Sequence, residues 1–173
     1  DKAMKRFVTE ARALAALEHP HILPVYDFGE EGGRLFIVMP LVKGGTLTTR
    51  MREPTPPETA LPWLRALASA LDFAHARRVI HRDVKPGNVL FDEFGKVLLN
   101  DFGIAKREGE DLTTKGGFVG TFGFMPPEQM LGQDLDGSAD QYSLGVVAFQ
   151  LLTASFPFPA RTMSELVERA FKQ

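Results

Sequence analysis

"HRDVKPGNVLFDEFGKVLLNDFG", residues 81–103, crowds carboxylates, amides and basic side chains against runs of Val, Leu and Phe that read as buried. "VLF" (89–91) and "KVLLN" (96–100) have the length and composition of short strands, and "DEFG" (92–95) between them is a turn with Asp and Gly in suitable places. Together they predict a tight antiparallel hairpin. Asn88 stands just before its first strand and Asp101 just after its second, so the hairpin brings both to its open end. Asp83 and Lys85 lie in the loop leading into that end. A carboxylate, an amine, an amide oxygen and a second carboxylate then converge, the groups that hold Mg²⁺ on a polyphosphate and orient a hydroxyl. Any one of them alone would be an ordinary loop polar capping a hairpin.

The rest of the chain suits a globular protein with about one domain's worth of core. Of its 173 residues, 44% are hydrophobic and 24% charged, which argues against disorder. The 20 basic and 22 acidic residues give a net charge of −2, so no overall field draws it to nucleic acid or to an anionic membrane. Without cysteine it has no disulfide, thiolate metal site or thiol nucleophile, which fits a cytoplasmic setting. The longest apolar stretch, around "SLGVVAFQLLTASF", is interrupted by Gln150 and is too short to span a bilayer. Nothing at the N-terminus reads as a signal peptide, and a first residue of Asp1 suggests a piece of a longer chain.

Ahead of the opening stretch, Phe7, Ala11, Leu14 and Leu17 at helical spacing predict a helix over 3–18 that stops near Pro20. Glu10 falls on that apolar stripe, where it either meets a cation or reaches water at the stripe's edge. "ILPVYDF" and "RLFIVMPLV" read as a hairpin with a longer loop, "GEEGG". A short helix and a Pro-rich linker follow, then a helix from Leu61 to about Arg78 with Pro62 in its first turn. Residues 138–153, with Ser138 as candidate N-cap, are apolar on nearly every face and predict a helix buried all round. "TMSELVERAFKQ" reads as one more amphipathic helix.

"HRDVKPGN" (81–88), "DFG" (101–103) and "PPE" (126–128), in that order, with "LEHPHI" before them and "DQYSLG" after, resemble the signature set of the protein kinases. Lys85, Gly120 and Thr121 resemble serine/threonine kinases, and "PPEQ" with "LLTASFPF" is similar to the bacterial eukaryotic-like group. The resemblance covers nearly the whole chain. It implies an α+β fold: residues 1–42 as a partial N-lobe and hinge, 43–173 as a mostly helical C-lobe truncated at its last helices.

The resemblance also implies roles. Asp83 would accept the substrate hydroxyl's proton, Lys85 would neutralise the transferred γ-phosphate, and Asn88 and Asp101 would bind Mg²⁺. Glu10 would pair with the phosphate-binding lysine, and Thr121 would contact Asp83 and Lys85 to shape the substrate groove. Met39 stands at the gatekeeper position, with Pro40 and Val42 in the hinge that takes adenine. Leu90 lies under the purine or is a plain core leucine. His81, Phe102, Leu14 and Val25 would form a packed stack, which weighs against acid/base chemistry at His81. Asp140 would brace the catalytic loop, and Glu128 is a support. His75 reads as a satisfied boundary histidine, and His19 and His21 have no partner at metal-ligand spacing. Arg82 would order residues 104–123 through a phosphothreonine at Thr113 or Thr114.

The function implied is transfer of the ATP γ-phosphoryl group to a protein Ser/Thr hydroxyl, with a pseudokinase or regulatory binding module as the alternative. Residues 1–173 contain neither the family's glycine-rich loop nor its strand lysine; Lys2 and Lys5 belong to Glu10's own helix. Glu10 and Glu128 are accordingly expected to lack partners, and these residues alone are expected to have little activity. Thr46, Phe124 and Pro126 depart from the family's usual acid, Tyr and Ala.

Overall fold

The computed structural model describes residues 2–102 and 123–158 together with 165, 168 and 169, with side chains from residue 7 onward. The expectations placed on Gly120, Thr121, Thr113 and Thr114, and on most of the last amphipathic segment, lie outside the described residues; Glu165, Glu168 and Arg169 of that segment are helical.

Helix α1 runs over Lys2–Ala15, and Phe7, Ala11, Leu14 and, just past it, Leu17 are buried as their spacing predicts. The chain then lies along a strand that it meets again much later: Leu23 N–H donates to Leu99 O at 2.9 Å and Leu99 N–H to His21 O at 2.8 Å. Pro24 has no N–H to continue this pairing. Strands β1 (Asp27–Glu31) and β2 (Arg34–Val38) therefore begin later than "ILPVYDF" suggests, and pair antiparallel with Glu31 opposite Arg34. The connection is two residues, not a longer loop, because Gly32 and Gly33 both take positive φ, 57° and 78°, as a tight hairpin turn requires.

A short 3₁₀ helix, Leu47–Arg50, precedes helix α2, Pro57–His75. Helix α2 starts four residues before Leu61. Pro57, whose fixed φ suits a first helical position, opens it, and Pro62 sits inside it. The Pro-rich segment packs rather than links: Thr55 is buried and donates its N–H to Leu151 O at 2.8 Å.

The decisive hairpin forms as read. Strands β3 (Val89–Phe91) and β4 (Val97–Leu99) pair antiparallel, Val89 opposite Leu99 and Phe91 opposite Val97. Asp92 Oδ1 accepts the N–H of Phe94 and of Lys96, and Gly95 takes φ 81°, which closes the turn. Gly44 crosses so close to this hairpin that a Cβ there would lie 2.2 Å from Phe91 O.

Helix α3 is one turn, Pro127–Met130, and α4 spans Gly137–Thr153. The N-cap of α4 is Asp136, whose Oδ1 accepts both the N–H and the hydroxyl of Ser138. Helix α4 packs on α2 through Val146, Val147 and Leu151, yet Phe149 and Leu152 are exposed, so it is not buried all round. The core joins α1, α2, α4 and the β3–β4 hairpin around Leu67, Leu99, Phe91 and Leu151. Four α-helices with two small two-stranded sheets, beside the helical residues 165, 168 and 169, make the α+β fold of the described residues. No described helix is long and apolar enough to cross a membrane.

Candidate active site

The site grows from the open end of the β3–β4 hairpin. Past the last rung, Asn100 N–H donates to Asn88 O at 2.9 Å, so the residues flanking both strands stay in register. Residues Pro86–Asn88 form one 3₁₀ turn that buries Asn88. Its Nδ2 donates to Asp83 O at 2.8 Å and to Asp83 Oδ2 at 3.0 Å. Lys85 Nζ lies 2.9 Å from the same Oδ2. Three of the four residues singled out therefore form one bonded group. Asp101 stands one residue beyond Asn100, exposed, with φ 55°, and makes no bond to the other three.

The loop carrying Asp83 is held through its backbone. Asp140 is 1% exposed and accepts three hydrogen bonds: Arg82 N–H to Oδ1 at 2.8 Å, His81 N–H to Oδ2 at 2.8 Å, and His75 Nε2 to Oδ2 at 2.7 Å. A buried carboxylate so furnished needs no further cation. Arg82 has φ 66°, a left-handed conformation unfavourable for a bulky residue, and Asp140 fixes it there. His81 is wholly buried. Its Nδ1 accepts Asp83 N–H at 3.2 Å, which makes Nε2 the protonated nitrogen, donating to Asn100 O at 2.9 Å. Burial holds its pKa below the usual value against the pull of Asp140, the Asn100 carbonyl, Asp83 and Asp101.

The packed stack is present: the His81 and Phe102 rings are 4.4 Å apart, with Leu14 buried and Val25 partly buried in the same cluster. His75 is a satisfied boundary histidine, as read. His19 accepts His21 N–H on Nδ1 at 3.1 Å and shares a hydrogen with Ser69 Oγ at 3.2 Å, while His21 Nδ1 bonds Val97 O at 2.8 Å. Burial, then the neighbouring His21 and Lys96, lower the pKa of His19.

Around the outside of the hairpin, Thr46 bridges Leu90, and Phe91 N–H donates to Gly45 O at 2.9 Å. Val89 and Phe91 point into the core, so Leu90, half-buried, faces the other way. Met39, Pro40 and Val42 follow β2 directly and are half-buried. Glu10 is half-buried and has an interaction within the chain, which corrects the expectation that it stands unpartnered. The field of Glu128 adds to burial in raising the pKa of Tyr142. Phe124 packs edge-on against Phe156 at 5.2 Å, and its carbonyl accepts the Ser143 hydroxyl at 2.7 Å.

One residue of this framework escaped the sequence reading. Gln129, in α3, donates from Nε2 to Arg82 O at 3.1 Å. Its only signal was its place beside Glu128 in "PPEQ".

Among the described residues, no group of three or more His, Cys, Asp or Glu could hold a metal ion. The donors at the hairpin mouth are one exposed carboxylate, Asp101, and the Oδ1 of Asn88, whose Nδ2 is committed to Asp83. Hard oxygen donors in so small a number fit a hard divalent cation that takes its other ligands from phosphate and water.

The protein kinase domain family matches residues 1–173. Serine/threonine-protein kinase PknF of Mycobacterium tuberculosis is 44% identical over 165 residues, covering 88% of this chain and 34% of the relative. PknJ of the same species is 44% identical over 161 residues, covering 90% and 27%, and PknL is 38% identical over 161 residues, covering 91% and 40%. The chain thus spans well under half of each of these relatives. Among solved structures, a mutant of the M. tuberculosis PknI kinase domain superposes with a TM-score of 0.74 at 37% identity, covering 92% of this chain and 60% of that one.

Proposed function

The chain belongs to the protein kinase family, and from that premise we propose that its parent protein is a serine/threonine kinase moving the γ-phosphoryl group of ATP to a protein hydroxyl. One observation carries the reading: Asp83 is fixed by Asn88 and paired with Lys85 on the same carboxylate oxygen. An acceptor held in place, beside a cation, suits a reaction whose catalysis is mostly positioning and charge stabilisation.

In this account Asp83 takes the proton of the substrate hydroxyl as that oxygen attacks the γ-phosphorus and the bond to the β-phosphate oxygen breaks, releasing ADP. Lys85 offsets the negative charge on the moving phosphoryl group. Asn88 and Asp101 would hold Mg²⁺, which supplies charge neutralisation on the phosphates. Met39, Pro40 and Val42 would line the adenine, with Leu90 beneath it; Pro40 offers only a carbonyl, which suffices where Val42 brings both a donor and an acceptor. Glu10 would position the phosphate-binding lysine, and Thr121 the substrate groove.

Residues 1–42 would serve as part of the N-lobe with the hinge, and 43–173 as the C-lobe. The preference for Ser/Thr rests on the names of the relatives and on Lys85. A cytoplasmic setting for these residues fits their lack of cysteine. Incubating the full-length protein with γ-labelled ATP, Mg²⁺ and a generic protein substrate tests the reading. Label recovered as phosphoserine or phosphothreonine supports it, and no transfer above a no-enzyme control overturns it.

A further inference from the structure

We propose that Gln129 is a positioning residue that ties helix α3 to the Asp83 loop through the Arg82 carbonyl; the inference rests on the phosphotransfer reading above. Arg82 is the residue immediately before Asp83, and its left-handed φ of 66° is not one its side chain favours. Asp140 grips the amide on its N-terminal side at 2.8 Å, and Gln129 grips the carbonyl on its C-terminal side at 3.1 Å. That carbonyl belongs to the peptide plane whose N–H is Asp83's own, the one donated to His81 Nδ1 at 3.2 Å. Rotation of the plane would swing the Arg82 carbonyl and Asp83's N–H together. Gln129 and His81 therefore act on opposite ends of one rigid unit.

The two grips come from different places. Asp140 sits on α4, within the core, whereas Gln129 sits on the single turn α3, reached directly from the segment ending at Gly123. Gln129 is half-buried, and its bond spans 47 residues of sequence. A shift of α3, none of whose own residues is buried, would thus reach the Asp83 peptide through one hydrogen bond.

The test uses Gln129→Met in the full-length protein, which keeps the side chain's length and removes its donor. Residue-resolved amide exchange should be faster at Asp83 in the variant while amides of α2 and α4 keep their protection. Where the wild type transfers phosphate, kcat should fall about three- to tenfold, the size of one positioning hydrogen bond, with the KM for ATP unchanged. Unaltered exchange at Asp83, an unaltered kcat, or a loss spread evenly over the whole fold would each overturn the proposal. A wild type that transfers no phosphate would refute the kinase reading instead, and the exchange comparison would still decide the role of Gln129.

Discussion

The Asp140 carboxylate accepts the backbone N–H of Arg82 at 2.8 Å across 58 residues of sequence, and so holds Arg82 in a left-handed conformation next to Asp83. Removing it strands the backbone donors of His81 and Arg82 and takes away the partner of the boundary residue His75. Asp140→Ala is expected to destabilise the protein by about 3–5 kcal/mol, the range for breaking a buried charged network by deleting one partner. Chemical denaturation measures it. A loss under about 1 kcal/mol would show that the carboxylate is not holding the loop.

Stability should fall as the solution is acidified. His81 and His19 both have folded pKa values lowered from 6.5, chiefly by burial. The unfolded chain takes up protons as pH drops through 6.5 while the folded chain resists. Their contribution is thus complete above that pH and lost progressively below it. Protonating His81 would also put a hydrogen on Nδ1, against the Asp83 N–H it now accepts. Thermal midpoints between pH 7.5 and 5 check the direction; a flat profile that His81→Asn and His19→Asn leave unchanged would contradict it.

Gly44→Ala should be disruptive although the residue lies in a loop. Its added Cβ would lie 2.2 Å from Phe91 O and 2.4 Å from Asp92 O, both backbone atoms of the central hairpin that cannot swing aside. Displacement of this backbone should cost about 1–3 kcal/mol. An equilibrium unfolding curve matching that of the wild type would contradict this account of the crossing.

Thr113 and Thr114 are the candidates for a phosphate that pairs with Arg82. Replacing both with Ala in the full-length protein is expected to lower turnover about tenfold, equivalent to one charge-assisted hydrogen bond. Unchanged turnover in the double variant would refute the pairing.

What the sequence made legible was local. The β3–β4 hairpin could be read because its two apolar runs flank a turn whose Asp and Gly carry specific backbone demands, whereas Asn88 meets Asp83 through the 3₁₀ turn Pro86–Asn88 that leads into it. Boundaries were less legible where two signals competed. Asp136 and Ser138 are both good caps, and the structure uses the first with the second as its donor partner. Pro57 and Pro62 both suit a helix start, and apolar periodicity alone pointed to the later one. Gly32 and Gly33 looked like part of a loose loop because Glu30 and Glu31 read as loop residues, yet both are paired in β1. The bonds that frame the site, His75 to Asp140 across 65 residues and Gln129 to Arg82 across 47, leave no periodic trace. They depend on how α2, α3 and α4 pack, which no local pattern specifies.

The most direct measurement compares single-turnover phosphoryl transfer by the full-length protein and its Asp83→Asn variant at saturating Mg-ATP. Asn keeps the shape of the side chain but cannot take the hydroxyl's proton. The variant's rate is expected to be lower by about 10²–10⁴-fold, the range for a positioned proton acceptor, with nucleotide affinity unchanged. A loss of less than about tenfold would contradict the role given to Asp83, and with it the chemistry assigned to the hairpin mouth.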